Sequence, residues 1–293
     1  MPPPEQPRRP VRSQSREVVE LNQIKAAHPE LATAVDLQIE LVGVQRRLQA
    51  RLPLPWIEVD ARWLAEEQRH GRPLVRFKDL RLEWSDVRFM VRQAADVLRR
   101  FDMIESDDHA RVQHLIREGH QLEPLVARWY STQAFPDDPT PETPPVDPPI
   151  SPEALELVLL FAMRPFLARC AEMLLPQVDL TAWTHPRCPL CGGDPEMGAL
   201  NAAGDRMLVC GRCTGAWTFD SGVCPFCRND DRSLLSTFTG SDPCYLIEAC
   251  NVCRRYIKTF DSRRGTRPFM LAVDSVATLP LDAAAMQKGY TGG

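Results

Sequence analysis

Four Cys-x-x-Cys pairs stand between residues 188 and 253: CPLC at 188–191, CGRC at 210–213, CPFC at 224–227 and CNVC at 250–253. They hold eight of the ten cysteines in this 293-residue chain. Each such loop, called a knuckle below, can aim two thiolates at one ion, and two knuckles complete a tetrahedral site. The pattern therefore predicts two four-cysteine metal sites.

The predicted metal ligands are the paired cysteines Cys188, Cys191, Cys210, Cys213, Cys224, Cys227, Cys250 and Cys253. The first two knuckles are separated by 18 residues and the last two by 22, whereas only ten residues separate the second from the third. The longer intervals suit a small β-ribbon that runs out and back, and each ribbon then ends in an aromatic residue, Trp217 or Tyr256. This spacing favours sequential pairing of the knuckles over a cross-braced arrangement.

A knuckle needs a residue that tolerates positive φ after its second cysteine. Gly192 and Gly193 are expected to supply it in the first knuckle, Gly215 in the second and Asn229 in the third. The fourth knuckle is followed by Arg254 and has no residue of this kind.

Structural disulfides are the first alternative use of the cysteines. The amino terminus, MPPPEQPRRPVRSQS, has no apolar stretch and predicts no signal peptide, which places the chain in the reducing cytoplasm. A thioredoxin-like redox motif would need a βαβ pattern, and the sequence around the cysteines lacks one. Metal binding is therefore the favoured interpretation.

The ligands alone leave the ion open, because four thiolates accept zinc or a single iron. Structural zinc is the commoner occupant of four-cysteine ribbons.

The two remaining cysteines are interpreted as residues outside the metal sites: Cys170 lies in an apolar helical stretch and Cys244 in an expected turn. His185 is near enough to the first knuckle to be a substitute ligand, but four thiolates make it unnecessary.

Net charge and hydropathy limit the kinds of partner that this chain is expected to bind. The chain has a net charge of −4, and residues 181–293 contain twelve Lys and Arg against eleven Asp and Glu, so phosphate neutralisation is disfavoured. The longest apolar run, at 154–163, is too short to span a bilayer. We expect no nucleic-acid partner and no stable membrane insertion.

No catalytic motif accompanies the cysteines, which predicts a protein that is not an enzyme.

The region before the cysteines shows helical periodicity. Helices are expected at 16–50, divided near His28 and Pro29, and at 60–70, 85–100 and 107–130, the last interrupted near Gly119 or Pro124. Ser151 is expected to cap a further helix that Pro165 kinks or splits and Pro176 ends.

The predicted fold class is α+β: a helical amino-terminal domain followed by two small rubredoxin-like or zinc-ribbon β modules, each with one four-cysteine metal site. Five parts are predicted: a helical domain at 1–134, a proline-rich acidic linker at 135–150, a helical segment packing on that domain at 151–180, the first module at 181–222, and the second module with a C-terminal extension at 223–293.

The four motifs together resemble the formate dehydrogenase accessory protein family, FdhE. The resemblance is carried by HPRCPLCGGDP at 185–195, VCGRCTGAW at 209–217, CPFC at 224–227 and EACNVCRRYIKTFD at 248–261, in that order and at about the family's intervals. One position departs from the family, since an acidic residue often precedes the Trp after the second knuckle, and here Ala216 stands there.

The resemblance implies a cytoplasmic, non-catalytic maturation factor. Such a protein binds the catalytic subunit of a membrane-bound respiratory formate dehydrogenase before that subunit is exported by the twin-arginine route. It also implies two rubredoxin-type centres on the eight paired cysteines, and it favours iron over zinc. A rubredoxin-like electron-transfer protein and a nucleic-acid-binding zinc ribbon remain the alternatives.

Overall fold

The computed structural model describes residues 15–135 and 149–292, so the predicted linker at 135–150 lies almost wholly outside the described residues. Helices occupy most of the described chain before the cysteines. They are α1 (Arg16–Ala27), α2 (Ala32–Gln49), α3 (Ala61–His70), α4 (Trp84–Arg100), α5 (Ser106–Glu118), α6 (Leu122–Ala134) and α7 (Pro152–Leu174). The expected helical character of this region is confirmed.

Local sequence signals set the helix ends. α1 ends at the predicted break, where Pro29 begins a short 3-10 turn before α2. Asp60 caps α3 by accepting hydrogen bonds from two backbone N–H groups of its first turn. Gly71 and Gly119 end α3 and α5 at φ values of 64° and 74°, which glycine adopts without the penalty of a Cβ.

Pro165 does not split α7. A proline inside a helix removes the N–H that would bond the carbonyl four residues earlier, which here belongs to Phe161. The Gln45 side chain of α2 donates to that carbonyl at 2.9 Å. Helix packing therefore supplies the missing partner, and the helix continues from its Ser151 cap to Leu174.

The cysteine-rich region forms one sheet. Its strands are β1 (Pro195–Leu200), β2 (Arg206–Cys210), β3 (Ala216–Thr218), β4 (Leu235–Thr239), β5 (Tyr245–Cys250), β6 (Arg255–Asp261) and β7 (Thr291–Gly292). The first knuckle precedes β1 and the second lies between β2 and β3; the third precedes β4 and the fourth lies between β5 and β6. The expected repeat of two ribbons is therefore present in the strands.

The two ribbons join edge to edge. The strand order is β3-β2-β1-β6-β5-β4, with antiparallel neighbours inside each ribbon and a parallel pairing of β1 with β6 between them. β7 adds a short parallel pairing to the start of β6. The two predicted modules thus share one hydrogen-bonded sheet, and the domain boundary between residues 222 and 223 stays a prediction.

Two short helices, α8 (Leu271–Ala277) and α9 (Leu279–Gln287), follow the sheet. Val273 and Val276 of α8 pack against Leu21, Leu31 and Val35, so the C-terminal extension returns to the first helices. At 15–135 and 149–292, the helices lack the combination of length and apolar character that crossing a membrane requires.

Candidate metal centres

The structure gathers the eight paired cysteines into two clusters. The first site consists of Cys188, Cys191, Cys210 and Cys213, and the second site consists of Cys224, Cys227, Cys250 and Cys253. Within each site all four sulfurs lie within 4.8 Å of one another. The knuckles therefore associate in sequential order, as their spacing predicts.

The sulfur spacing fits a tetrahedral ion. The Cys188 and Cys213 sulfurs are 3.5 Å apart, and so are those of Cys191 and Cys210. In the second site the sulfurs of Cys224 and Cys253 are 3.8 Å apart, and those of Cys227 and Cys250 are 3.6 Å apart. Metal–sulfur bonds of about 2.3 Å place tetrahedral sulfurs about 3.8 Å apart. All ten cysteines are free, and each cluster could hold one metal ion.

All four knuckles share one backbone turn. The residue after the second cysteine donates its N–H to the carbonyl of the first cysteine, at 2.9 to 3.1 Å in each knuckle. In the first three knuckles, the N–H two residues after the first cysteine also points at that cysteine's sulfur, at 3.3 to 3.5 Å. These contacts orient the sulfurs and stabilise thiolate charge.

The positive-φ residues differ from those that the sequence suggested. Gly192 takes φ 70° as expected, but the equivalent residues of the other knuckles are Thr214 (59°), Arg228 (62°) and Arg254 (61°). Gly215 and Asn229 follow one residue later and do not supply the left-handed conformation. The turn fixes the position directly after the second cysteine, so three side chains accept a conformation that costs about 1–2 kcal/mol.

The first site lies in the main core. Its four cysteines are at most 1% exposed and belong to the same buried cluster as the helices. The loop after α3 is hydrogen-bonded to the first knuckle. The Leu74 N–H donates to the Pro189 carbonyl and the Val75 N–H donates to the Leu190 carbonyl, both at 2.8 Å. A Cβ on Gly192 would lie 2.6 Å from the Ala134 Cα. The end of α6 therefore packs directly on this knuckle.

The second site lies at the surface. Cys224 and Cys250 are buried, whereas Cys227 is exposed and Cys253 is partly exposed. Val252, between the two cysteines of the fourth knuckle, is 54% exposed. The second site thus presents two of its four cysteines to solvent.

Burial opposes ionisation of several thiols in both sites. It raises the pKa of Cys188 well above its usual range, and it raises the pKa of Cys224 to about 12. Hydrogen bonds from Cys188, Cys210 and Cys213 instead lower the pKa of Cys191. Because the thiolate is the ligand, an ion entering either site displaces protons.

The remaining candidates lie outside the two clusters. Cys170 is buried in α7, and burial raises its pKa to about 12, which fits a small apolar residue. Cys244 donates to the Arg264 carbonyl at 3.3 Å. The His185 ring packs on Trp183, with centroids 5.1 Å apart, and close to Gly71. Neither four-sulfur cluster includes this histidine.

Paired knuckles on short β-ribbons define the rubredoxin-like and zinc-ribbon class of protein, here built onto a helical body. The chain is 28% identical over 144 residues to the FdhE homolog of Shewanella oneidensis. This match covers 47% of each protein, so it spans about half the length of that curated relative. No family model matches the chain.

The fold is similar to the crystal structure of the FdhE protein from Pseudomonas aeruginosa. The TM-score is 0.62 at 22% sequence identity, over 94% of this chain and 92% of that one. The resemblance to FdhE proteins that the motifs carry is confirmed by the two comparisons together. The α+β fold, helical first and then a sheet with two four-cysteine clusters, is confirmed as well.

Proposed function

We propose that this protein is a non-catalytic accessory factor in the maturation of a membrane-bound respiratory formate dehydrogenase. It binds the catalytic subunit in the cytoplasm before the twin-arginine route exports that subunit. The observation that carries the proposal is the pair of four-sulfur clusters, built from motifs in the order and spacing of FdhE. The similarity to the FdhE proteins of two organisms supports it.

The eight paired cysteines are the proposed ligands of two metal ions, one at each site. The resemblance favours iron, with zinc as the alternative, and the sulfur spacing suits both. Four thiolates complete a tetrahedral shell and leave no open position for a substrate. This closed shell supports a binding role over a catalytic one.

The ions would act by holding the sheet in shape. The β-ribbons are short, and an ion that joins two knuckles supplies folding free energy that such ribbons lack. The first knuckle also bonds to the loop after α3 through Leu74 and Val75. Metal binding at the first site would therefore fix the sheet against the helices and pre-organise a surface for the subunit.

The proposal is tested with purified catalytic subunit and metal-loaded protein. The wild type should retain the subunit on an affinity column, and a variant with Cys224→Ser and Cys227→Ser should lose both its second-site metal and much of the retention. Cys244→Ser removes a cysteine outside both clusters and is the matched control. Absence of retention by the wild type in both oxidised and reduced forms would contradict the proposal.

Electron transfer is the second candidate, and the exposure of Cys227 favours it. An iron at the second site would have a sulfur ligand at the surface, where a redox partner can approach. The measurement is metal content with voltammetry on anaerobically purified protein. A reversible one-electron couple supports this function, whereas two zinc ions for each chain would exclude it.

A further inference from the structure

Arg212 lies inside the second knuckle, between the ligands Cys210 and Cys213, and is only 3% exposed. Its guanidinium stacks 3.8 Å from the centre of the Trp129 ring of α6. Nη2 also donates to the Trp129 carbonyl at 3.3 Å. The helical body thus holds this side chain in place within the core.

Among the residues that the structure describes, no carboxylate forms an ion pair with this guanidinium. Within 15–135 and 149–292, Nε and Nη1 of Arg212 are buried without any hydrogen-bond partner. Two other buried arginines of this region do have carboxylates: Arg164 pairs with Glu196 at 3.1 Å, and Arg206 pairs with Glu248 at 3.4 Å. A buried cation without a counter-charge is strongly destabilising. Arg212 therefore requires an anion close by.

The first site lies beside this side chain and can supply that anion. The Cδ of Arg212 and the sulfur of Cys210 each lie 2.9 Å from the point that a Cβ on Gly193 would occupy. The arginine stem and the sulfur thus pack around a glycine that has no side chain to separate them.

An occupied four-thiolate site is an anion. Four thiolates around a divalent ion leave two net negative charges, and around a trivalent ion they leave one. We propose that Arg212 is the counter-charge of the occupied first site and raises its affinity for metal. The proposal rests on the proposed metal binding by the first site. Arg212 is then a positioning residue, because it acts on the metal through the thiolates, and Trp129 holds its guanidinium in place.

The second site is arranged differently. The side chains that follow its knuckles, Arg228 and Arg254, are exposed, so water balances much of their charge. A buried countercation therefore distinguishes the first site from the second. Removal of Arg212 should change the first site alone.

The test uses the full chain loaded with ¹¹³Cd, because each four-thiolate site gives its own resonance. Chelator titration then measures the cadmium affinity of each site separately. Arg212→Met should weaken the first site by roughly 10- to 100-fold, the usual effect of losing a group that supports a metal ligand. The second site should keep its affinity, and Arg212→Lys should recover part of the loss.

Arg164→Met is the matched control, because Arg164 is also buried and donates to the backbone of the same knuckle through the Gly211 carbonyl. Because Glu196 is the counter-charge of Arg164, the control also carries Glu196→Gln, so that no carboxylate is left unpaired beside the knuckle. This double variant removes no net charge and should leave first-site affinity within about threefold, below the range expected for a supporting residue. If Arg212→Met does not fold, Arg212→Gln provides a second neutral variant. Equal loss in the Lys and neutral variants would show a packing role and overturn the proposal.

If Arg212 acts through its charge, its removal should change the melting temperatures of the metal-free and the metal-loaded protein in opposite directions. Arg212→Met should raise the melting temperature of the metal-free protein, because it removes an unbalanced buried cation, and lower that of the loaded protein. A fall of the same size in both forms would overturn the proposal. Absence of cadmium resonances in the wild type would overturn metal binding as well, whereas normal wild-type binding with unchanged Arg212 variants would overturn only the role of Arg212.

Discussion

The two four-cysteine sites share one local design and differ in their surroundings. Both use two knuckles of the same hydrogen-bonded turn, and both sit at the same places in a three-stranded ribbon. Yet the first site is sealed in the core beneath the helices, whereas the second exposes Cys227 to solvent. Ligand geometry is therefore a property of the knuckle, and accessibility is a property of its position in the fold.

The residue that directly follows a knuckle is consistent with the burial of the first site and the exposure of the second. At the first site Gly192 has no side chain, and the end of α6 packs against its backbone. At the second site the equivalent residues are Arg228 and Arg254, which are both exposed, and Arg254 donates to the Lys288 carbonyl at 2.8 Å. A long side chain is compatible with the open site, but at Gly192 it would separate the sheet from the helices.

Removal of both cysteines of one knuckle should give the largest difference between the two sites. Cys188→Ser with Cys191→Ser should abolish cooperative unfolding of the helices, since a structural four-cysteine ion can supply about 10 kcal/mol or more of folding free energy. Cys224→Ser with Cys227→Ser should leave the helices folded. Thermal unfolding followed by far-ultraviolet circular dichroism measures both, with Cys244→Ser as the control. Equal loss of helix in both pair variants would refute the assignment of the first site to the core.

Gly192→Ala should destabilise the protein by about 2–4 kcal/mol. The substitution adds the strain of a left-handed alanine to a contact of 2.6 Å with the Ala134 backbone. Urea unfolding of the metal-loaded protein measures the change. The matched change, Thr214→Ala, also keeps a left-handed residue after a knuckle but adds no atoms. If the two variants unfold alike, the packing of α6 on the first knuckle is not as tight as described.

Chelator should empty the second site first. The exposed Cys227 gives a competing ligand access to the ion, whereas the sulfurs of the first site are covered by the core. We expect two phases of one equivalent each, with rates that differ at least tenfold, or about 1.4 kcal/mol in the barrier. Absorbance of a metal-indicator dye measures the release. A single phase of two equivalents would show that burial does not control loss of the ions.

Arg228→Gly should stabilise the protein by about 0.5–1 kcal/mol. Glycine relieves the left-handed strain at φ 62°, and this gain exceeds the entropy that glycine loses on folding. Asn229→Gly is the control, because Asn229 has no positive φ and should gain nothing. Chemical unfolding gives both values. A gain at Asn229 instead of Arg228 would restore the turn assignment that the sequence suggested.

The C-terminal extension shows where sequence patterns failed. α8 and α9 contain seven and nine residues, too few turns for a clear helical period. α8 is held by tertiary contacts: Val273 and Val276 pack on the first helices, and the buried Asp274 pairs with Arg267 at 2.6 Å. Pro165 shows the same limit, since Gln45 satisfies the carbonyl that the proline leaves free. Both outcomes depend on residues far away in the chain.

The amino-acid pattern alone was enough to predict the two groups of four cysteines, their sequential association and the approximate helix boundaries. The helix ends and knuckles arise from contacts a few residues apart, such as the three-residue step within a knuckle, the Asp60 and Ser151 caps and the glycine after α5. The sequential association follows from the 18- and 22-residue intervals, each of which suits one β-ribbon. The three-dimensional fold was needed to show which site is buried, where Arg212 lies and how β1 pairs with β6. Burial and strand pairing between the ribbons depend on long-range packing, which local patterns do not encode.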